Sequence, residues 1–380
     1  MRFAIGICGA ILLAVVLWDA FETIILPRRV NRRFRITRLF YRSTWYPWRA
    51  TAQHLPSKRR EAFLGFFGPL SLLLLLSLWA AGIIFSFGML QWAAGSAGPR
   101  DGADPQFGTD LYLSGTTFFT LGLGDVVPHS QLAKVLMVIE SGTGFAFLAI
   151  VIGYLPVIYQ GFSRREGPIA LLDARAGSPP TAGELLWRHR TDTTLDALTD
   201  LLRDWEHWAA DVLESHLSYP VLAYFRSQHN NQSWLAALTT ILDASAMAVV
   251  CFDGRCARQA EMTFAMARHT AVDLAQVFST PPLERHDERV TEADLLALRA
   301  RLTAGGMRLR VVEGTEEQLT ALRRQYEPFV IALARYLTVQ LPPWVRQADR
   351  PDNWQTSAWD RLNRPPEPDE PVTGRAEDHA

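Results

Sequence analysis

One hexapeptide in the first half of the chain combines residue types that can bind a cation through the backbone. It reads Thr-Leu-Gly-Leu-Gly-Asp and covers residues 120–125. Gly122 and Gly124 carry no Cβ, so the backbone can enter the left-handed region there without steric cost. If left-handed and ordinary conformations alternate, successive carbonyl groups point the same way. Such a row of oxygens can replace the hydration shell of a metal ion.

Two helices of different length must position this hexapeptide. Residues 110–119 predict a short helix with an acid at its start, and about ten residues cover only about 15 Å, half a membrane. After the hexapeptide, residues 131–160 form a long apolar run whose charged residues are Lys134 and Glu140. A half-length helix, a glycine-rich segment and a full span in this order are typical of a re-entrant loop.

Two more apolar runs precede this arrangement. Residues 1–26 predict an N-terminal transmembrane helix, and residues 65–92 predict a second span. No small-residue cleavage site follows the first run, which favours an uncleaved anchor over a signal peptide. Asp19 and Glu22 lie near its end, where two interpretations stay open. They either reach the interface or pair with the arginines at 28 and 29, or they serve a function inside the membrane.

The distribution of charge predicts the orientation of these spans. The net charge of −1 hides a loop, residues 27–61, in which positions 27–60 hold eleven Arg or Lys and no acid. Basic loops stay on the cytoplasmic side, so the N-terminus is expected outside and the chain after the third span inside. The loop's position between apolar runs indicates contact with anionic lipids over residues 28–60 and not with nucleic acid. Arginine far outnumbers lysine, which is typical of a GC-rich bacterial gene and indicates the inner membrane.

The segment from residue 62 to about 160 resembles the pore domain of potassium channels. Their selectivity filter usually reads Thr-Val-Gly-Tyr-Gly-Asp. The leucine between the glycines is similar to the second pore loop of some two-pore-domain potassium channels. The resemblance implies that Thr120, Leu121, Gly122 and Leu123 supply carbonyl oxygens to permeating K⁺, with Asp125 at the outer mouth. It also implies a potassium channel that conducts passively.

The single Gly-x-Gly-Asp loop and the glycines of the third apolar run lead to two further expectations. One loop cannot enclose an ion and the sequence holds no second Gly-x-Gly-Asp loop, so four copies must assemble as a homotetramer. Gly144 lies where the inner helices of simple potassium channels have a hinge glycine, and Gly142 is its neighbour. A gating hinge at these two glycines and close helix packing through small residues are both open interpretations.

The second half of the chain reads as a helical cytoplasmic domain. Helical periodicity covers residues 195–217, 232–252, 256–278, 291–302 and 316–341. The run 232–252 is apolar enough to span a membrane, but Asp243 at its middle favours a buried core helix. No dinucleotide-binding, catalytic or metal-ligand pattern is recognisable, so neither an enzyme nor a cofactor is expected. His216 and Cys251 are expected to be structural.

The sequence thus predicts an all-α membrane protein with three transmembrane helices, a re-entrant pore helix and filter, and a helical cytoplasmic domain. Two alternatives stay open: a weakly selective monovalent cation channel, and a membrane-anchored signalling or scaffold protein with a vestigial pore loop. The expected domains are a first helix (1–26), a basic loop (27–61), a pore domain (62–162; outer helix 65–92, pore helix 110–119, filter 120–125, inner helix 131–160), a cytoplasmic domain (163–346) and a disordered tail (347–380).

Overall fold

The computed structural model is all-α apart from one short pair of strands within the part of the chain it describes. It describes residues 2–26, 35–95, 97–99, 106–191, 194–228, 232–283, 289–310 and 314–345. The start of the basic loop (27–34, with the arginines at 28 and 29) and the whole tail 347–380 lie outside the described residues. The chain divides into two compact units, Met1–Gln160 and Gly161–Ala380.

The first unit contains the candidate pore. Its elements are α1 (Arg2–Ile24), α2 (Ile36–Gln53), α3 (Ser57–Gly65), α4 (Phe67–Ala93), β1 (Ala97–Pro99), α5 (Phe107–Phe118), β2 (Val126–Pro128) and the start of α6 (Gln131–Ala176). α6 continues well past residue 160, the expected end of the inner helix, and Pro156 lies inside it without ending it.

Glycines bring α1 and α4 close together as an antiparallel pair. A Cβ added at Gly6 would lie 2.9 Å from the Cβ of Ala93, and one at Gly9 would lie 2.9 Å from the Cβ of Met89. Nearer the middle of both helices, a Cβ on Gly82 would meet Val16 at 3.0 Å. Small residues let apolar helices approach closely in a membrane, where dispersion contacts replace the hydrophobic effect.

The second unit is a helical domain built around α9. After the end of α6 it contains α7 (Ala182–Arg188), α8 (Asp196–Ser218), a 3₁₀ turn (Pro220–Tyr224), α9 (Trp234–Cys251), α10 (Gly254–Val277), α11 (Glu292–Ala304), α12 (Thr315–Arg324) and α13 (Glu327–Leu337). The expected single helix over 316–341 is wrong, because it is two helices. Tyr326 leaves the helical conformation, and Pro328 lies in the first turn of the next helix, where its missing N–H costs nothing.

Within the part of the chain that the structure describes, four helices are long and apolar enough to cross a membrane: α1, the α3–α4 segment Arg59–Ala93, α6, and α9. They differ in burial, because 94% of the α9 residues are enclosed by protein, against 11% of the apolar window of α6. The mid-helix acid of α9 is paired: Asp243 Oδ2 accepts a hydrogen bond of 2.6 Å from Arg289 Nη2 and is fully buried.

Candidate functional site

The hexapeptide lies at the C-terminal end of α5, which packs against α4. Gly88 makes this approach possible, because a Cβ there would lie 3.3 Å from the Cα of Leu111. At the start of α5, the ring of Phe107 contacts Phe85 and Trp92 with centroids 5.7 and 6.2 Å apart. α5 runs over 107–118 and so begins earlier than the expected pore helix 110–119.

Left-handed backbone recurs at every second residue of the hexapeptide. The φ angles are +55° at Thr120, +52° at Gly122 and +77° at Gly124, with ordinary values at the leucines between them. The expectation for the two glycines is therefore confirmed. Thr120 was not expected there, since a β-branched residue in this region is strained.

Two carbonyls of α5 hold this backbone in place. The Thr117 carbonyl accepts a 2.9 Å hydrogen bond from Thr120 N. The Thr116 carbonyl accepts one of 2.7 Å from Leu121 N and one of 3.3 Å from Gly122 N. Because these amides bond back to the helix, the conformation of the first half of the hexapeptide depends on where α5 lies.

The C-terminal half of the hexapeptide is held by a side chain and by a strand. Tyr112 on α5 donates a 3.0 Å hydrogen bond to Asp125 Oδ2. Directly after it, β2 pairs antiparallel with β1, with Gly98 opposite Val127. Residues 121–125 are exposed, and Cβ atoms built on Gly122 and Gly124 would meet nothing within 4 Å in the described chain. Their backbone is therefore open to a ligand or to another copy.

α6 approaches α5 at two points, one helical turn apart. A Cβ on Gly144 would lie 2.2 Å from the carbonyl oxygen of Phe118, the last residue of α5. One turn earlier, the Ser114 hydroxyl donates a hydrogen bond to Glu140 Oε1. Gly142 has no such neighbour, since a Cβ there would meet nothing within 4 Å in the described chain. Of the two glycines expected to form a hinge, Gly144 is required by packing.

The two acids of α1 bind the start of α2. Asp19 Oδ2 accepts hydrogen bonds from Thr37 N at 3.1 Å, from Thr37 Oγ1 at 2.7 Å and from Trp79 Nε1 at 3.0 Å. It therefore caps the N-terminus of α2, where no local side chain does. Glu22 accepts a 2.6 Å hydrogen bond from Trp18 and pairs with Arg35 at 3.5 Å. Both acids have a structural role.

The end of α6 in the second unit carries a buried arginine. Arg165 donates to the carbonyls of Leu222 and Phe225, each at 2.8 Å, and its Nη1 lies 3.2 Å from His216 Nε2. His216 Nδ1 lies 2.8 Å from the Val212 carbonyl, so Nδ1 carries the hydrogen and Nε2 accepts from the arginine. Burial, and then the charge of Arg165, lower the pKa of His216 to about 3. The structural role expected for His216 agrees with these contacts.

Sequence reasoning found the hexapeptide but missed its supports. Thr116 acts through its carbonyl, which no residue type reveals. Tyr112 and Ser114 lie in a segment recognised only as a helix. Glu140 was visible as one of two charges in an apolar run, and that was the available signal.

Comparison with known proteins agrees with this geometry. The model of an ion-channel family matches residues 72–160, which contain α5, the hexapeptide and the first part of α6. Neither a curated protein nor a solved structure matches the chain. The apolar helices and the family match indicate a multi-pass membrane protein. Residues 72–160 are thus similar to an ion-channel domain, and the match supports a pore loop of the potassium-channel type.

Proposed function

We propose that this protein is a homotetrameric channel that conducts K⁺ passively across the bacterial inner membrane. The filter is residues 120–125, and Thr120, Leu121, Gly122 and Leu123 supply its carbonyl oxygens. The energy comes from the ion gradient, so the proposal involves no catalytic residue and no cofactor beyond the permeating ion.

The alternating backbone of the hexapeptide carries the proposal. Left-handed φ at three alternate positions turns successive peptide planes, and this is the arrangement that lets neighbouring carbonyls face one axis. At Thr120 it costs about 1–2 kcal/mol, because the side chain is not glycine. Strain of this kind persists where surrounding contacts enforce it, and it clusters at functional sites. Here the Thr116 and Thr117 carbonyls enforce it.

The exposed surfaces support assembly of four copies. Residues 121–125 are uncovered in the chain, and one strand of carbonyls cannot surround an ion. Large apolar side chains of α6 are exposed as well, among them Val138 (74%), Phe145 (69%) and Ile152 (64%). Four copies related by one rotation axis would bring four filters together and cover part of this face.

We propose three spans, α1, α4 and α6, with α5 re-entrant and α9 in the interior of a cytoplasmic domain. The pairing of Asp243 with Arg289 and the near-complete burial of α9 support this choice. The N-terminus would lie outside, because α2 and α3 carry basic residues and almost no acid.

Anionic lipids are the proposed partners of the basic segment. On α2, Arg38 and Arg42 are exposed one turn apart, next to the exposed side chains of Leu39 and Tyr46. Basic and apolar side chains on one exposed face are typical of a helix that lies on a membrane surface.

A weakly selective monovalent cation channel is the second candidate. Leu123 favours it, because this side chain is 62% exposed, is aliphatic and cannot donate a hydrogen bond behind the filter. The filter would then be held at Thr116 and Tyr112 but not at its centre.

Ion flux from proteoliposomes tests the proposal. The purified chain should release K⁺ down its gradient and Na⁺ far more slowly, and native mass spectrometry should give a tetramer. Gly122→Asp is the control, because a side chain at φ +52° is strained and its charge enters the filter. Equal K⁺ and Na⁺ fluxes would support the second candidate. No flux from the wild type, with an intact tetramer, would support a scaffold with a vestigial loop.

A further inference from the structure

A buried carboxyl joins the inner helix to the helix that carries the filter. Glu140 on α6 is fully buried, and its Oε1 accepts a hydrogen bond from Ser114 on α5. The Ser114 hydroxyl also lies 2.7 Å from the carbonyl oxygen of Ile84 on α4. One hydroxyl group, whose single hydrogen is shared between these two acceptors, therefore lies where three helices of the first unit meet.

The position does not need a carboxyl for packing. An enclosed polar group costs free energy unless its hydrogen bonds are made, and Glu140 Oε2 accepts none from the described residues. An aliphatic side chain would fill the same space without this cost. A buried polar contact of this kind fixes one arrangement of the helices over others.

The contact lies directly behind the filter. Ser114 is two residues before Thr116, whose carbonyl accepts hydrogen bonds from the amides of Leu121 and Gly122. Glu140 is one turn before Gly144, which contacts the end of α5 at Phe118. A slide of α5 along α6 would therefore break the polar contact and move the carbonyl that anchors the filter.

We propose that Glu140 is a positioning residue for the selectivity filter. Its carboxyl holds α5 at one register against α6 through Ser114, and this register sets the geometry of residues 120–122. The inference rests on the proposed function for its effect on ion selectivity. Its effect on the filter backbone is independent of conduction.

Three substitutions test the contact by selectivity. Glu140→Ala removes the acceptor, Ser114→Ala removes the hydroxyl, and Glu140→Gln keeps an acceptor oxygen of similar size. In single-channel recordings, both alanine variants should lower the K⁺ over Na⁺ permeability ratio by about fivefold, as loss of one hydrogen bond implies. Glu140→Gln should keep the ratio within about twofold. A role in folding alone would lower the number of channels and leave this ratio unchanged.

Hydrogen exchange gives a readout that needs no conduction. In the full chain, the amides of Leu121 and Gly122 should exchange about fivefold faster in both alanine variants and at the wild-type rate in Glu140→Gln. Ser77→Ala is the matched control, because that exposed hydroxyl bonds only within α4, to Leu73, among the described contacts. Wild-type exchange in Ser114→Ala and Glu140→Ala would overturn the inference. If the alanine variants exchange faster but the wild-type protein itself passes no K⁺, the inference about Glu140 stands and only the proposed function is overturned.

Discussion

The first unit contains two close helix contacts that look alike in sequence and differ in structure. In the contact between α1 and α4, glycines bring the backbones together and Asp19 accepts three hydrogen bonds from α2 and α4. In the contact between α5 and α6, Gly144 brings the backbones together, but Glu140 accepts its described hydrogen bond from Ser114 and has a second oxygen without one.

This difference separates an anchor from a support of the proposed filter. The α1–α4 contact is extensive and its acid is satisfied within one chain, so it has one stable arrangement. The α5–α6 contact is confined to a few residues next to the filter, and α6 leaves most of its apolar surface exposed. Substitutions in the first contact should therefore change stability, and substitutions in the second should change conduction.

The largest effect is expected at Gly144. Its Cβ in Gly144→Ala would lie 2.2 Å from the Phe118 carbonyl oxygen, so α5 and α6 must separate. Overpacking of this kind costs about 1–3 kcal/mol, and the displaced end of α5 carries the filter. We expect K⁺ flux per tetramer to fall by about tenfold or more, measured in proteoliposomes with the tetramer quantified.

Gly142→Ala is the matched control for this prediction. A Cβ there meets nothing within 4 Å in the described chain, and alanine favours a helix by up to about 1 kcal/mol over glycine. Flux should stay near the wild-type value. If both variants lose conduction equally, flexibility of α6 and not packing explains these glycines, and the comparison of the two contacts fails.

In the α1–α4 contact, Asp19→Ala should destabilise the protein without changing selectivity. The substitution leaves Trp79 Nε1 and the Thr37 amide and hydroxyl without their acceptor. Each lost hydrogen bond costs about 1 kcal/mol, and less where the donor finds another partner within the membrane. For the three donors together we expect a loss of about 2 kcal/mol in the free energy of unfolding. Thermal unfolding in nanodiscs measures this loss. Asp19→Asn keeps one acceptor oxygen and should lose about half as much, whereas a changed K⁺ over Na⁺ ratio in either variant would contradict the assignment as an anchor.

The contrast between Asp19 and Glu140 also shows what the sequence can predict. Length, apolar runs and the Gly-x-Gly-Asp spacing are local properties, and they led to the hexapeptide, the long apolar helices and the left-handed glycines. The partners of the two acids are not local, because Trp79 is 60 residues from Asp19 and Ser114 is 26 residues from Glu140. Periodicity cannot identify contacts at such separations.

Helix ends were the least predictable feature of the fold. α6 runs to Ala176, where Gly177 leaves the helix in the left-handed region and Arg188 donates to the carbonyls of Asp173 and Ala174 in the last turn. The break at Tyr326 comes directly before the turn that contains Pro328, and a proline inside a helical pattern ends or kinks the helix before it.

In the second unit, His216 is a buried group whose hydrogen bonds are made, and it predicts how stability depends on pH. His216 is buried and neutral with a pKa of about 3, whereas an unfolded histidine has a pKa near 6.5. Because the pKa of His216 is lower in the folded protein than in the unfolded chain, neutral His216 contributes fully to the free energy of unfolding above about pH 6.5. This contribution is lost as the pH falls toward 3. Between pH 6.5 and pH 5 the free energy of unfolding should drop by about 2 kcal/mol.

The measurement is urea or thermal unfolding of the full chain, followed by tryptophan fluorescence, at both pH values. Trp234 reports on this site, because its ring lies 5.1 Å from that of His216. His216→Gln retains an acceptor for Arg165 and removes the titration. If the wild type and His216→Gln show the same pH dependence, the fall in the free energy of unfolding comes from other groups.

The smallest effect is expected at the outer end of the filter. Tyr112→Phe removes the hydroxyl that donates to Asp125 Oδ2, and both side chains are exposed, so the loss is at the low end of about 0.5–1.5 kcal/mol. We expect the K⁺ over Na⁺ permeability ratio to fall by about twofold, with Tyr46→Phe, an exposed tyrosine of α2, as the unchanged control. This is less than the fall expected for Glu140→Ala, because water can replace the exposed partner and cannot reach the buried one. A larger effect at Tyr112 than at Glu140 would mean that the proposed filter is held mainly at its Asp125 end. The α5–α6 contact would then not be the main support of the filter.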